Sequence, residues 1–271
     1  MPTVPYPATS LDVSYTPDWE VGRTGKYQGK FANLGYMHCR RTLGWSSTSV
    51  AGDVCNYLDT SQRSINTPVN GTSYYIVSTS TADGVGGIGI RSVRINYLDT
   101  AGNRIIITVV LNGTTPVFVA SNVTYFQYLE SSAIGTDGQA QGDIYISSNA
   151  GGTPTVAQIM DKITLGDGRS MSGRVMVPTG FNLYLLGWTC SAVGNTMDVR
   201  LRGRAYTDDR TVSPGFHFQE NAYLGSGQSG GDTIPSLRFE SGAEIKVSAV
   251  PGGAPAGNRC DATFKFLLIA I

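Results

Sequence analysis

The sequence has few of the residues that carry out catalysis or bind metals. Two histidines, His38 and His217, and four dispersed cysteines occur in 271 residues, and no CxxC pair is present. Structural zinc sites use closely spaced pairs of ligands, so His38, Cys39 and Cys55 do not predict a metal site. His217 is flanked by phenylalanines in a strand-like run, which favours a structural role. We therefore expect a protein that is not an enzyme and that holds neither a metal nor a cofactor.

An excess of charge of either sign is also absent. Twenty lysine and arginine residues balance twenty aspartate and glutamate residues, and charged residues make up only 15% of the chain. Proteins that bind nucleic acids or anionic membranes usually carry a basic excess, so we predict neither partner. A polar, weakly charged surface suits a protein that is packed in an assembly, although an ordinary β domain can have the same composition.

Long apolar runs are missing as well. The longest, residues 264–271, contains Lys265 and is far shorter than the roughly 20 residues that cross a membrane. The first residues show no basic segment followed by an apolar one, so no signal peptide is predicted. The separated cysteines are expected to be reduced thiols, which are typical of proteins made in a cytosol.

In contrast, residues that favour β-strands recur through most of the chain. Residues 90–99 alternate between apolar and polar side chains, as a half-buried strand does. Residues 105–111 are apolar on both faces, which predicts a central or an interface strand. Roughly ten such strands at short spacing predict an all-β fold, and more specifically a jelly-roll-like β-sandwich formed by residues 67–271.

The beginning of the sequence differs from the rest. Prolines crowd residues 2–17 and alternation is poor, apart from a possible strand at residues 34–38. Proline-rich segments resist compact folding but lie well against a neighbouring surface. We therefore predict that residues 1–66 form an extended N-terminal arm or a small lobe, in which Tyr15 and Trp19 contact a partner.

One segment has the pattern of a helix. Thr153 and Pro154 fit a helix start, and apolar residues between positions 156 and 163 fall at helical spacing. The segment is short, and an extended conformation accounts for the same residues. The pattern therefore leaves both alternatives open.

Two motifs could indicate chemistry, and each has a simpler explanation. Residues 84–89 match GxGxxG, but a dinucleotide site needs a helix to begin there, and the next residues predict a strand. Paired carboxylates could hydrolyse a glycosidic bond, yet nothing in the sequence fixes the separation between the candidates. These acidic residues, for which turn and surface roles are the simpler prediction, are Asp208, Asp209, Glu220, Glu240 and Glu244.

A stripe of arginines is the strongest polar signal. Arg200, Arg202 and Arg204 alternate with apolar residues, which predicts that they share the outward face of one strand. Arginine binds carboxylates through a planar fork and is common at interfaces. The stripe therefore predicts either partner binding or cross-strand pairing with acidic residues of the same sheet.

Four segments also occur in an order that has a known counterpart. They are INYLDTAGNRIIITVVLNGTTPV (residues 95–117), GDIYI (142–146), LGDGRSMSGRVMVPTGFNLYLLGW (165–188) and VRLRGRAY (199–206). Together they resemble a family of small virion structural proteins of tailed bacteriophages, common among cyanophages and other aquatic phages. The resemblance extends from residue 80 to residue 271 and leaves residues 1–66 unmatched.

The resemblance implies a β-sandwich protein of the virion, assembled in the cytoplasm of a bacterial host, and it carries no catalytic residues. It also favours an extended conformation for residues 155–163. The resemblance leaves the position within the particle open. The balanced charge and the extended N-terminal arm favour a capsid decoration (cement) protein, which binds the major capsid protein, usually as a homotrimer. The alternatives are a tail, neck or baseplate component, and a lectin-like receptor-binding module that holds a glycan.

Overall fold

The computed structural model of the protein describes residues 31–43, 66–170, 173–193, 197–204, 217–225, 229–232, 237–251 and 258–270. Within these residues the chain forms sixteen β-strands and one short 3-10 turn, Val156–Gln158. The first eight strands are β1 (Phe31–Leu43), β2 (Tyr74–Ser78), β3 (Ile90–Asp99), β4 (Arg104–Val110), β5 (Val117–Ala120), β6 (Val123–Ile134), β7 (Ile144–Ser147) and β8 (Ile159–Ile163). The other eight are β9 (Arg174–Met176), β10 (Phe181–Val193), β11 (Met197–Arg204), β12 (His217–Leu224), β13 (Ser229–Asp232), β14 (Leu237–Phe239), β15 (Glu244–Pro251) and β16 (Asn258–Ala270). The all-β fold predicted from the sequence is confirmed.

Residues 66–170 form an antiparallel β-sandwich, which is termed the β2–β8 half. Its two sheets have the strand orders β5-β2-β7-β8 and β4-β3-β6. Side chains from both sheets meet in one core, because alternate residues of a strand share a face. The buried apolar residues of this core include Tyr74, Ile76, Ile90, Val93, Ile95, Phe126, Leu129, Ile144, Ile146 and Ile163.

The described residues between 173 and 270, together with β1, form the β9–β16 half. One sheet has the order β1-β16-β10-β13, with β14 also paired to β10, and the other has the order β12-β11-β15-β9. Strand β1 runs antiparallel to β16, from Phe31 opposite Ile269 to Leu43 opposite Asn258. Both sheets bury apolar residues, which include Val175, Leu183, Leu185, Phe239, Ile245, Phe266 and Leu268. The described strands thus fall into four sheets, more than the pair of sheets in a single jelly roll.

Strand β1 lies within the predicted N-terminal arm, residues 1–66. The strand predicted at residues 34–38 lies within β1, and its pairing with β16 makes this part of the arm a member of a sheet. Residues 1–30 and 44–65, and with them Tyr15 and Trp19, lie outside the described residues. The contact of the arm with a partner stays a prediction.

Strand β4 differs from its prediction. It is an edge strand of its sheet, so the expectation of a central strand is wrong. Ile105, Ile107 and Val109 pack on the core, whereas Ile106 and Val110 are 49% and 54% exposed. Within the described residues, the second apolar face of β4 is therefore open rather than covered by another layer.

The segment with a helix-like pattern is mostly extended. After the single turn of Val156–Gln158, residues Ile159–Ile163 continue as β8, and all five are buried. Strand β8 pairs with β7, with Ile163 opposite Ile144. Because both faces of β8 are covered, its apolar residues do not alternate with polar ones. Their spacing in the sequence therefore resembles that of a helix.

The two halves are joined along β6 and β9. The Gln127 side chain on β6 donates to the carbonyl oxygen of Met176 at 2.6 Å and accepts from its amide nitrogen at 3.2 Å. Leu98, Tyr125 and Met176 form a small apolar cluster at the same place. A side-chain amide that bonds both backbone groups of one residue fixes the approach of β9 to the first sandwich.

Candidate interaction surfaces

The arginine stripe lies on β11, which is between β12 and β15 in its sheet. Directly opposite residues of antiparallel strands share a face of the sheet, so the register gives each arginine its neighbours. The opposite residues on β15 are Ser248 for Arg200, Lys246 for Arg202 and Glu244 for Arg204. Those on β12 are Asn221 for Arg200 and Phe218 for Arg202. Among these directly opposite residues of the described registers, the acidic one is Glu244, which lies opposite Arg204.

Strand β9 pairs with the other side of β15. There Arg174 lies opposite Lys246, and Met176 lies opposite Glu244. This side of the sheet is termed the cationic face. Its charged residues in the described registers are the basic Arg174, Arg200, Arg202, Arg204 and Lys246 and the acidic Asp198 and Glu244. Lys246 and Arg174 were not predicted as part of the stripe, because each is an isolated basic residue in its own strand. Only the register of the sheet reveals them.

The β9 end of the cationic face is buried where the two halves meet. Arg174 is 0% exposed, donates to the Met160 carbonyl oxygen at 2.6 Å, and lies 5.0 Å from the centroid of the Tyr125 ring. Glu244 is also buried and accepts a hydrogen bond from the Tyr125 hydroxyl at 2.8 Å. Cation–π contact and a charge-assisted hydrogen bond offset part of the cost of burying these charges. This cluster therefore joins the halves, and no sequence motif predicted it.

The outer face of β4 is a second, mainly apolar surface. Ile106 and Val110 are exposed on it, and Thr108 between them lies opposite Arg94 on β3. Arg94 forms an ion pair with Glu130 on β6, and the hydrogen bond to this carboxylate holds the pKa of Arg94 above its ordinary value. An edge strand also presents backbone groups to which another chain can pair. The role of β4 as an interface strand stays a prediction.

The GxGxxG segment is part of a loop built around a buried carboxylate. Asp83 is 0% exposed, and its Oδ1 accepts from the amide nitrogens of Ile90 and Gln141 at 2.9 and 3.1 Å. Its Oδ2 accepts from the Gly142 amide at 3.0 Å and from the Ser78 hydroxyl at 2.6 Å. The loop leads into β3 rather than into a helix, so it lacks the helix N-terminus that holds a dinucleotide phosphate. Its geometry is that of a structural loop.

The candidate carboxylates have separate environments. Glu240 is exposed and lies 3.2 Å from the guanidinium of Arg238, whereas Glu244 is buried at the joint. Glu220 belongs to β12, on the other side of β11 from Glu244. The candidates outside the described residues are Asp208 and Asp209. The two candidates with described side chains thus have different roles, Glu240 at the surface and Glu244 at the joint between the halves.

The candidate metal ligands also separate. Cys39 and Cys190 lie opposite Ala262 from its two sides, which places them two strand spacings apart, about 10 Å. His38 precedes Cys39 on β1, and Cys55 lies outside the described residues. Where the chain is described, no group of three or more histidine, cysteine, aspartate or glutamate residues could hold a metal. The same residues include no helix with the length and apolar character needed to span a membrane.

An open cleft of about 380 Å³ lies at the start of the β2–β8 half. Asn66, Thr67, Thr72 and Ser148 contribute polar groups to its lining. Its aromatic residue, Tyr74, is only 1% exposed, so the ring offers no free face for stacking on a sugar. The cleft thus has hydrogen-bonding groups without the aromatic platform typical of glycan sites.

Comparison with known proteins assigns no family to this chain. No protein-family model matches this chain, and no curated protein matches its sequence. Among solved structures, the chain is similar to one titled "Structure of infectious bursal disease virus Gx strain", with 8% identity and a TM-score of 0.21. The alignment covers 98% of this chain and 82% of that one. A likeness at this TM-score carries no argument about fold or function.

Proposed function

We propose that this chain is a structural protein of a tailed-bacteriophage virion and, within the particle, a capsid decoration (cement) protein. In this role a homotrimer binds the shell of the major capsid protein and stabilises it. The observation that carries the proposal is the ordered resemblance of residues 95–117, 142–146, 165–188 and 199–206 to the phage virion family. The proposed location is accordingly the virion, which assembles in the cytoplasm of a bacterial host.

The positions of these segments support a structural role. Residues 95–117 contribute all of β4 with its open edge, and residues 165–188 lead through β9 into β10. These segments form strands and the connection between the halves. Catalytic motifs, by contrast, bring reactive side chains together in one site. To another protein these segments offer the exposed apolar outer face of β4 and its position at the edge of a sheet. The proposed role is therefore binding, with no catalysis, metal or cofactor, and with neither nucleic acid nor membrane as a partner.

Two alternatives stay open in this proposal. A tail, neck or baseplate component would use the same surfaces to build a symmetric ring. A carbohydrate-binding, receptor-binding module is less well supported, because the ring of Tyr74 in the polar cleft is buried. Binding to purified tails would favour the first alternative, and glycan binding that depends on Asn66 and Ser148 would favour the second.

Co-sedimentation of the purified protein with shells of the major capsid protein tests the decoration role. We expect saturable binding, and the mass of a trimer by light scattering. Replacement of both exposed residues on β4, Ile106→Asp with Val110→Asp, should weaken binding and leave the fold intact. Leu165→Asp is the matched control, because Leu165 is an exposed apolar residue outside β4. Binding to purified tails and not to shells would reject the decoration role.

A deletion tests the predicted arm. Removal of residues 1–30 retains β1 and its pairing with β16, so the sandwich should fold while attachment to shells weakens. A deletion that extended to residue 43 would remove a whole strand and could not separate folding from binding. If the protein without residues 1–30 binds shells as tightly as the intact chain, the arm does not contribute to attachment.

A further inference from the structure

We propose that two copies of this chain pair with each other through β4. The two strands run antiparallel about a twofold axis at Thr108, so that the β4-β3-β6 sheets of both copies join into one continuous sheet. The inference goes beyond the proposed function and does not rest on it. A twofold contact is distinct from the threefold contact of the proposed trimer, and one assembly can contain both.

Strand β4 lacks the features that protect a sheet edge from pairing with another chain. Edge strands of monomeric proteins are commonly blunted by charged side chains, by proline or by a bulge. Residues 105–111 contain no charged residue and no proline, and the described register of β4 with β3 has no bulge. Among the described strands, β4 pairs with β3 on one side only. Its other side is therefore a template for a further strand.

The hydrogen bonds of the β3–β4 hairpin show which backbone groups of β4 point outward. The Leu111 amide nitrogen donates to the Arg91 carbonyl oxygen on β3 at 2.9 Å. Successive residues of a strand direct their backbone groups to opposite sides, so Ile106, Thr108 and Val110 direct theirs away from β3. The side chains of the same three residues are exposed. Both the backbone and the side chains that a new strand would meet are thus accessible.

The sequence of this edge is symmetric about Thr108, and this symmetry favours a second copy as the partner. When Thr108 lies opposite Thr108 of the second copy, each aliphatic residue of the strand meets an aliphatic residue. These pairs are Ile105 with Leu111, Ile106 with Val110, and Ile107 with Val109. A twofold interface requires a surface that is complementary to itself, and cross-strand pairs of such residues stabilise a sheet.

The charges beside β4 are compatible with this pairing. Arg94 lies opposite Thr108 on β3, and its guanidinium forms an ion pair with Glu130 on β6. The copies would therefore not bring two unpaired arginines together at the axis. In the same register Arg104, at the start of β4, lies opposite Asn112 of the second copy, so like charges do not oppose each other there either.

The core of the β2–β8 half is also incompletely covered at this edge. The core-facing residues of β4, which are Ile105, Ile107 and Val109, are only partly buried. Val117 is also partly buried and lies on β5, the edge strand of the facing sheet. A second β4 would place its own core-facing aliphatic side chains beside these residues, and the burial of apolar surface would stabilise the pair.

Cross-linking of cysteine variants of the intact chain with a short bis-maleimide, followed by a denaturing gel, tests the proposed register. Thr108→Cys should give a covalent dimer by itself, because position 108 faces its own copy across the axis. Ile106→Cys and Val110→Cys should each stay at the wild-type background, which the four native cysteines set. A mixture of these two variants should give a dimer. Leu165→Cys, exposed outside β4, is the control and should stay at background.

A charge at the axis should block the pairing. Thr108→Lys, added to both variants of the mixture, places like charges opposite each other and should lower the dimer yield about fivefold. The matched control is Thr124→Lys, which adds the same charge to an exposed threonine of β6, at the other edge of the same sheet. It should leave the yield unchanged. If Thr108→Lys does not fold by circular dichroism, the yields of the cysteine variants decide.

Two results would overturn the inference: a wild-type background for Thr108→Cys, or equal yields from Ile106→Cys alone and from the mixture. If Thr108→Cys forms the dimer only after residues 1–30 are removed, that segment covers β4 and a second copy is the wrong occupant. Failure to cross-link would leave the decoration role standing, because co-sedimentation with shells measures it separately. Failure to bind shells would likewise leave the cross-linking result standing.

Discussion

The two halves of the molecule are both antiparallel β structures, but they are assembled over different distances along the chain. In the β2–β8 half, the strand pairings range from the local β3–β4 hairpin to the pairing of Tyr75 with Ser147, and all of them lie between residues 74 and 163. In the β9–β16 half, Leu43 lies opposite Asn258, so the first and last described strands share a sheet. Local pairing costs little chain entropy, whereas a distant pairing forms only after a long loop is closed. We therefore expect the two halves to differ in how they respond to mutation.

The largest expected effect comes from matched truncations in the two cores. Ile95→Ala in the β2–β8 half and Leu268→Ala in the β9–β16 half each remove a buried aliphatic side chain and should each lower the free energy of unfolding by about 3 kcal/mol. Hydrogen–deuterium exchange followed by mass spectrometry should show faster exchange mainly in the mutated half. An equal rise in exchange across both halves for each variant would show that they unfold as one unit.

The next largest effect concerns the buried carboxylate of Asp83, which holds a loop within the β2–β8 half. Asp83→Ala leaves four donors, three of them buried, without their carboxylate and should cost about 2 kcal/mol in a urea titration, less than the core truncations because water can enter the loop. Asp83→Asn keeps one carbonyl oxygen and should cost less. A loss below about 1 kcal/mol for Asp83→Ala would show that the loop is not held by this carboxylate.

A smaller effect tests the joint between the halves. Tyr125→Phe removes the hydroxyl that donates to Glu244 across the joint and should cost about 1–2 kcal/mol. Tyr145→Phe is the matched control, since its hydroxyl donates to Asp143 within the β2–β8 half. Exchange should rise on both sides of the joint for Tyr125→Phe and on one side for Tyr145→Phe. The same pattern for both variants would contradict a specific role of Tyr125.

The smallest effect is a pH dependence confined to the β2–β8 half. Burial, with a contribution from the charge of Asp99, raises the pKa of Tyr97 above its ordinary value of 10.0. The unfolded chain then releases this proton at lower pH than the folded chain, so the stabilisation is present below pH 10 and is lost as pH rises further. Urea titrations at about pH 9 and about pH 11 should show a larger decrease for the wild type than for Tyr97→Phe. Equal decreases would assign the alkaline sensitivity to other groups.

The contrast between the halves also explains what could be predicted from the sequence. Strand β3 was predicted because the alternation of apolar and polar residues along one strand is a local property. The arginine stripe was predicted for the same reason, since Arg200, Arg202 and Arg204 belong to one strand. Lys246 and Arg174 were missed, because the registers that bring them to the stripe are set by tertiary structure.

Two further differences have specific physical causes. The sequence argued against a dinucleotide site at residues 84–89 but gave no role to the glycines themselves. The last of them, Gly89, is required because a Cβ atom there would clash with the buried carboxylate of Asp83. The apolar residues of β4 predicted either a central or an interface strand, and the exposure of Ile106 and Val110 at a sheet edge excludes the first alternative. Composition alone cannot distinguish a face covered by the same chain from a face left for a partner.

The most direct test of the virion role is a cryo-electron microscopy map of purified particles of the phage whose genome encodes this protein. We expect density for the two joined β halves on the outer surface of the capsid shell, arranged as trimers around threefold positions. Density of this shape found only in the tail, neck or baseplate would contradict the decoration role. Intact particles in which the protein is not detected at all would contradict the assignment to the virion.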